Sequence, residues 1–168
     1  MCFICRILFY VASLVCAAPV LAADADKPGL LGSGNVLMIQ AAPDAIHYNS
    51  KPEYKGTHWL VGAELQTPSR WLGGYSYFNN SFDQRCHYLY AGYTWRISEN
   101  NTSWYIKLTG GALYGYKAPY EDKIPYNHNG LAPAIIPGVG YKFDRFNVQL
   151  NLFGTAGIMI TVGYDLFR

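Results

Sequence analysis

Apolar residues alternate with polar or small ones along most of this chain. The segment 146–153, FNVQLNLF, is the clearest: Phe146, Val148, Leu150 and Leu152 share one face, and Asn147, Gln149 and Asn151 share the other. A period of two belongs to a β-strand whose two faces meet different surroundings. In YLYAGYTWRI, Leu89, Ala91, Tyr93, Trp95 and Ile97 alternate with Tyr88, Tyr90, Gly92, Thr94 and Arg96. In GIMITVGYDLF, Ile158, Ile160, Val162, Tyr164 and Leu166 alternate with Met159, Thr161, Gly163 and Asp165. Eight such segments are expected, at roughly 34–47, 58–66, 70–78, 87–97, 104–117, 131–143, 145–153 and 157–167. A soluble sandwich also alternates. Here, however, one face is repeatedly aliphatic with aromatics toward its ends, while the other is polar or small. That is the apolar band and aromatic girdle of a membrane barrel around a polar interior. The predicted fold is all-β, an eight-stranded antiparallel transmembrane barrel.

Composition supports this pattern. Only 14% of the residues are charged and 16% are aromatic, with fifteen tyrosines and seventeen glycines. An average soluble domain carries roughly 25% charged residues. The chain of 168 residues has a net charge of +2. That charge gives no pull toward nucleic acid, and none is expected as a partner. No stretch of 18 consecutive apolar residues follows the N-terminal region, so no transmembrane helix is expected. A chain without one can span a bilayer only as a closed sheet, because every backbone polar group there must be paired internally.

The first residues read as a processing segment. Arg6 gives a positive start, Ile7 to Ala18 an apolar stretch too short to span, and VLAA small residues for cleavage after Ala22 or Ala23. Residues 1–22 are therefore expected to be a signal peptide and 23–168 one barrel domain, exported to the outer membrane. Loss of Cys2, Cys5 and Cys16 with that segment leaves Cys86 alone, so no internal disulfide is expected. The connections 67–70, 98–103 and 143–145 are short, and 49–57, 79–86 and 118–130 are longer. Short turns belong on the periplasmic side and longer loops outside. This puts His47, Asn80, Ser81 and the loop 118–130 at the outer rim.

His47, Asn80 and Ser81 are the candidate chemistry, because a serine hydroxyl needs a base and histidine is the usual one. The structural alternative is that Ser81 ends a strand while Asn79 and Asn80 make a turn. His58 and His87 are expected at the aromatic girdle, and His128 in a loop. No spacing among the histidines matches a metal site, and neither metal nor cofactor is expected. Pro133 and Pro137 stand inside one strand segment, LAPAIIPGVG. Proline cannot donate to a ladder, so it marks either a bulge or a stretch of wall left unpaired.

The stretch FNNSF (78–82), followed by YAGYTW (90–95), resembles the outer-membrane lipid A palmitoyltransferase family. There a Phe-x-Asp-Ser-aromatic motif precedes a Gly-Tyr-x-Trp strand at similar spacing. His47 lies a few residues after a proline at the end of the first strand, as that family's catalytic histidine does. LAPAIIPGVGYKFDRFNVQLNLF resembles the family's proline-bearing strand, tight turn and next strand. The resemblance implies an eight-stranded barrel, a monomer, that moves an acyl chain from a phospholipid to lipid A. It implies His47 as base, Ser81 as nucleophile or hydroxyl positioner, and Asn80 as its neighbour. Pro133 and Pro137 would mark a lateral gate for the acyl chain. Thr94 would be the pocket floor, shortening the chain accepted because the family has glycine there. The chain departs from the family's pattern at Asn80, which replaces an aspartate, at 24–33, where no amphipathic helix is evident, and at Arg168, which follows the terminal aromatic. Two other readings are a non-enzymatic barrel that binds an amphiphile or is structural, and an outer-membrane esterase using the same serine and histidine.

Overall fold

A computed structural model describes residues 34–49, 54, 58–98 and 103–167. The proposed signal peptide, the stretch 24–33, Pro52 and Arg168 lie outside the described residues. The strands are β1 (Val36–Ala42), β2 (Ala45–His47), β3 (Leu60–Gln66), β4 (Trp71–Asn79) and β5 (Arg85–Arg96). They continue as β6 (Trp104–Tyr114), β7 (Leu131–Phe143), β8 (Phe146–Leu152) and β9 (Gly157–Phe167). All neighbours are antiparallel, and β9 pairs back to both β1 and β2, which closes the sheet. β1 and β2 form one wall position, interrupted at Pro43 and Asp44, so the barrel has eight staves. This is the closed eight-stranded barrel that the alternation predicts.

The inward and outward faces fall as the pattern requires. Gln40, Glu64, Thr94, Lys107, Thr109, Asn147, Gln149, Thr161 and Asp165 are buried. Ile39, Val61, Leu89, Ile106, Ile135 and Val148 are exposed, Ile135 at 73% and Leu89 at 65%. Exposed aliphatic residues on six of the eight staves make an apolar exterior of an extent that is rare on soluble monomers. Two belts of aromatic contacts border the aliphatic zone. Near the long loops, Tyr77 packs edge-on against Trp59, and His87 lies against Tyr75, Tyr77 and Tyr114. At the other end Trp71 meets Tyr93, Tyr93 meets Trp95, Trp104 meets Tyr141 and Phe146 meets Tyr164.

The interior separates into two halves. Toward the short turns it is a hydrogen-bonded polar plug. Lys107 and Glu64 form a buried ion pair at 2.9 Å, Tyr90 donates to Glu64 at 3.1 Å, and Gln40 donates to Tyr90 at 3.0 Å. Asn147 donates to Asp165 at 3.0 Å, and Asp165 also pairs with Lys142. Two inward glycines make room for this layer: a Cβ at Gly74 would run into the Tyr90 ring, and one at Gly140 into the Tyr105 ring. Toward the long loops the lining becomes apolar, with Ala42, Leu60 and Met159 packed against Phe78 and Phe153.

The wall is not continuous at that end. The β7–β8 ladder runs only from Gly138↔Asn151 to Phe143↔Phe146. The outer half of β7, residues 131–137, pairs with β6 and has no described partner on the β8 side. Pro133 and Pro137 both lie in that half, face outward and are exposed. The β6–β7 register stays unbroken through them, so the prolines mark an unpaired stretch and not a bulge. A second gap opens where β1 gives way to β2. β1 pairs with β3 as far as Ala42↔Leu60, whereas β2 pairs with β9 alone.

Candidate functional site

His47 and Ser81 meet at the rim of the long loops. The His47 Nε2 atom lies 2.6 Å from Ser81 Oγ, a hydrogen bond between residues 34 positions apart in sequence. His47 is held by β2, paired opposite Gly157 of β9. The register Ala42↔Leu60 sets Pro43 level with Trp59, so His47 stands beyond the aromatic belt.

Ser81 is held by a turn, and Asn80 builds that turn. The Asn80 Oδ1 atom accepts from the backbone N–H groups of Phe82 and Gln84, each at 2.9 Å. Its backbone N–H donates to the Gln84 carbonyl, and its carbonyl accepts from Asp83 N–H. Its amide Nδ2 donates to Gln84 Oε1 at 3.2 Å. An asparagine that accepts from the backbone two residues on is the hub of an Asx turn. The structure therefore brings His47 to Ser81, while the Asn80 side chain is engaged within its own turn. This gives a sharp pair of expectations. Asn80→Asp keeps the oxygen that accepts from both backbone N–H groups and should leave the turn formed. Asn80→Ala removes that oxygen and should cost roughly 1–3 kcal/mol at the turn. Urea unfolding of the two variants beside the parent checks this.

Two residues that the sequence pattern leaves aside complete the site. His58 is not part of the girdle. Its Nδ1 atom lies 2.8 Å from Asp44 Oδ1, and its ring meets the His47 ring at 4.6 Å between centroids, inclined by 60°. Asp44 Oδ1 also accepts from the backbone N–H groups of Ala45 at 2.8 Å and His58 at 3.3 Å. Tyr54 also packs against the His47 ring, at 4.6 Å between centroids, and meets Phe82, which stacks on Tyr120 at 3.9 Å. Burial first, and the neighbouring His58 second, hold the His47 imidazole below its ordinary pKa of 6.5, while Asp44 pulls the other way. A neutral imidazole hydrogen-bonded to a serine hydroxyl can take its proton.

The remaining candidates lie elsewhere. His87 sits in the outer aromatic belt, its Nδ1 atom 2.6 Å from Tyr75 Oη, as expected for a girdle residue. His128 belongs to the long loop, bridged to Leu131. Thr94 faces inward but takes a hydrogen bond from Gln66 at 2.6 Å and does not line the internal cavity. That cavity measures about 40 Å³ and is walled by Leu60, Tyr88, Ile136, Phe153 and Met159 toward the rim and by Gln40, Tyr90 and Lys107 beneath. On β5 the floor is thus Tyr90, four residues nearer the rim than Thr94, because the Tyr90 ring crosses the lumen to Glu64. A volume of this size holds about three waters. No grouping of His, Cys, Asp or Glu among the described residues forms a metal site. No protein-family model matches the chain, and no curated protein matches it.

Proposed function

We propose that the chain is an outer-membrane acyltransferase that moves a fatty acyl chain from a phospholipid to lipid A or a similar outer-leaflet acceptor. The observation that carries this reading is the 2.6 Å contact between His47 and Ser81 at the barrel rim. The aliphatic exterior between two aromatic belts fits a bilayer, with the His47 rim at its outer surface. The unpaired outer half of β7 offers a lateral way in for a lipid tail without passage through water.

In the proposed step, Ser81 Oγ attacks the phospholipid ester carbonyl while its proton passes to His47 Nε2. The lysophospholipid leaves as an alcohol, taking that proton. An acceptor hydroxyl then gives its proton to His47 and attacks the acyl-Ser81 ester, and Ser81 recovers its proton from His47. If Ser81 only positions a hydroxyl, the acceptor attacks directly and no acyl-Ser81 ester forms. Base catalysis of this kind requires neutral His47. Its pKa is lowered from 6.5, so the acid limb of the rate should be centred below pH 6.5. A pH profile of the transfer rate in mixed micelles measures this, and an acid limb centred above 6.5 would contradict it.

The small cavity favours a second reading. An esterase that sends the acyl chain to water needs no room to house it through two steps, and the 40 Å³ cavity gives little. Housing a longer chain requires Met159 and Phe153 to swing aside, which a flexible thioether permits. Expression in a Gram-negative host, followed by mass spectrometry of lipid A, separates the two. Transfer adds the mass of one acyl chain and hydrolysis removes one. Unchanged lipid A, with folded protein in the membrane, would sink both enzyme readings for that acceptor.

A further inference from the structure

The motif around Ser81 has an asparagine where a charged partner for histidine would be expected, yet a carboxylate does stand beside His47. It comes from the break between β1 and β2. Pro43 ends β1, and Asp44 turns its Oδ1 onto the backbone N–H groups of Ala45 and His58. The same oxygen meets His58 Nδ1 at 2.8 Å. Three donors on one carboxylate oxygen fix both the acid and the imidazole. With Nδ1 held in this way, the His58 Nε2 atom is buried with no hydrogen-bond partner among the described residues. This fixed ring meets the His47 ring at an incline of 60° and sets one wall against it, with Tyr54 as another. Among the described residues, the titratable groups around His47 are Asp44 and His58 from the β1–β2 break and the approach to β3, and Tyr54 from the loop between them; Ser81 is its hydrogen-bond partner.

We propose that Asp44, held against His58, supplies the acid of this site: the pair fixes the His47 ring, and Asp44 favours the positive charge that ring carries while it holds the Ser81 proton. Both are positioning residues. This rests on the reading of His47 as base. It relocates the acid from the serine turn, where position 80 is occupied with backbone, to the residue three places before the base. The arrangement leaves Asn80 free to be a turn former.

Two variants of nearly unchanged shape test it, Asp44→Asn and His58→Gln, with the full chain in detergent micelles and folding checked by heat-modifiable gel mobility. The readouts are kcat and KM for a phospholipid donor, and the titration of His47 followed by NMR of histidine-labelled protein. Asp44→Asn should lower kcat at least tenfold, leave KM within twofold, and move the His47 midpoint to lower pH, because a nearby negative charge has gone. His58→Gln should also lower kcat at least tenfold, yet move the midpoint to higher pH, because a neighbour that opposes a second positive charge has gone. A slower enzyme with a more basic His47 separates positioning from basicity. Unmoved midpoints in both variants, or kcat within twofold of the parent in both, would overturn the proposal. If the parent protein transfers no acyl chain, the acyltransferase reading fails by itself. The His47 titrations still decide whether Asp44 and His58 govern that residue, opposite shifts supporting it and no shifts sinking it.

Discussion

His47→Ala and Ser81→Ala should each abolish the change in lipid A mass, with folded barrel still present in the membrane. The size follows from what each group does. A positioned general base contributes typically 10²–10⁴-fold, and in the proposed reaction the two residues act as one unit across their 2.6 Å hydrogen bond. Removal of both should therefore cost little more than removal of either, because groups that act together are strongly non-additive. Neither change threatens the fold. His47 ends β2 at the rim and Ser81 lies in a turn whose hydrogen bonds belong to Asn80, so the ladders are untouched. Rates in micelles with a phospholipid donor, set beside the rate of His87→Ala as a control at the outer belt, measure this. Equal activity of Ser81→Ala and the parent would exclude both the nucleophile and the positioning role, and with them the proposed chemistry.

The barrel was legible because its signal is periodic and repeated. Each of the eight staves carries the alternation, so an error at one boundary does not displace the others. Boundaries differ by only a few residues: the first stave divides at Pro43–Asp44, and the sixth ends at Phe143 with β8 beginning at Phe146. His47 and Ser81 were legible as rim residues, since loop lengths alone fix which end of each strand is which. What periodicity cannot read is where a long side chain ends up once it enters the lumen. Alternation points both Tyr90 and Thr94 inward, but it does not say that the Tyr90 ring crosses to Glu64 and takes the place of the floor. Nor could it read Asp44 and His58. They sit 14 positions apart, at a break in a stave and on the approach to β3, and they meet because β2 leaves β3 and pairs with β9 alone. A proline followed by aspartate inside a predicted strand is the one local sign of that break, since the missing N–H and the carboxylate both argue against a regular ladder there.

The ion pair of Glu64 and Lys107 carries the largest expected effect on stability. Each side chain is 6% exposed and they lie 2.9 Å apart, within a layer that Tyr90 and Gln40 complete. Lys107→Met leaves Glu64 buried without a countercharge and should destabilise the barrel by about 3–5 kcal/mol. The double change Glu64→Gln with Lys107→Met removes both charges and should recover most of that loss, since replacing a buried pair by groups of similar volume is close to neutral. Urea unfolding from lipid vesicles, followed by tryptophan fluorescence, gives the double-mutant cycle, and a single variant no less stable than the parent would contradict it. The same layer should limit the acyl chain. It lies directly under the cavity, and an apolar chain that reached it would strip hydrogen-bonded charges of their partners. The double variant should therefore accept a longer acyl chain than the parent. Thr94→Gly, by contrast, should leave chain length unchanged, because Thr94 lies outside the cavity wall and Tyr90 intervenes on the same strand. Mass spectrometry of the transferred chain distinguishes the two floors. A longer chain with Thr94→Gly and an unchanged one with the double variant would return the floor to Thr94 and make the charged layer purely structural.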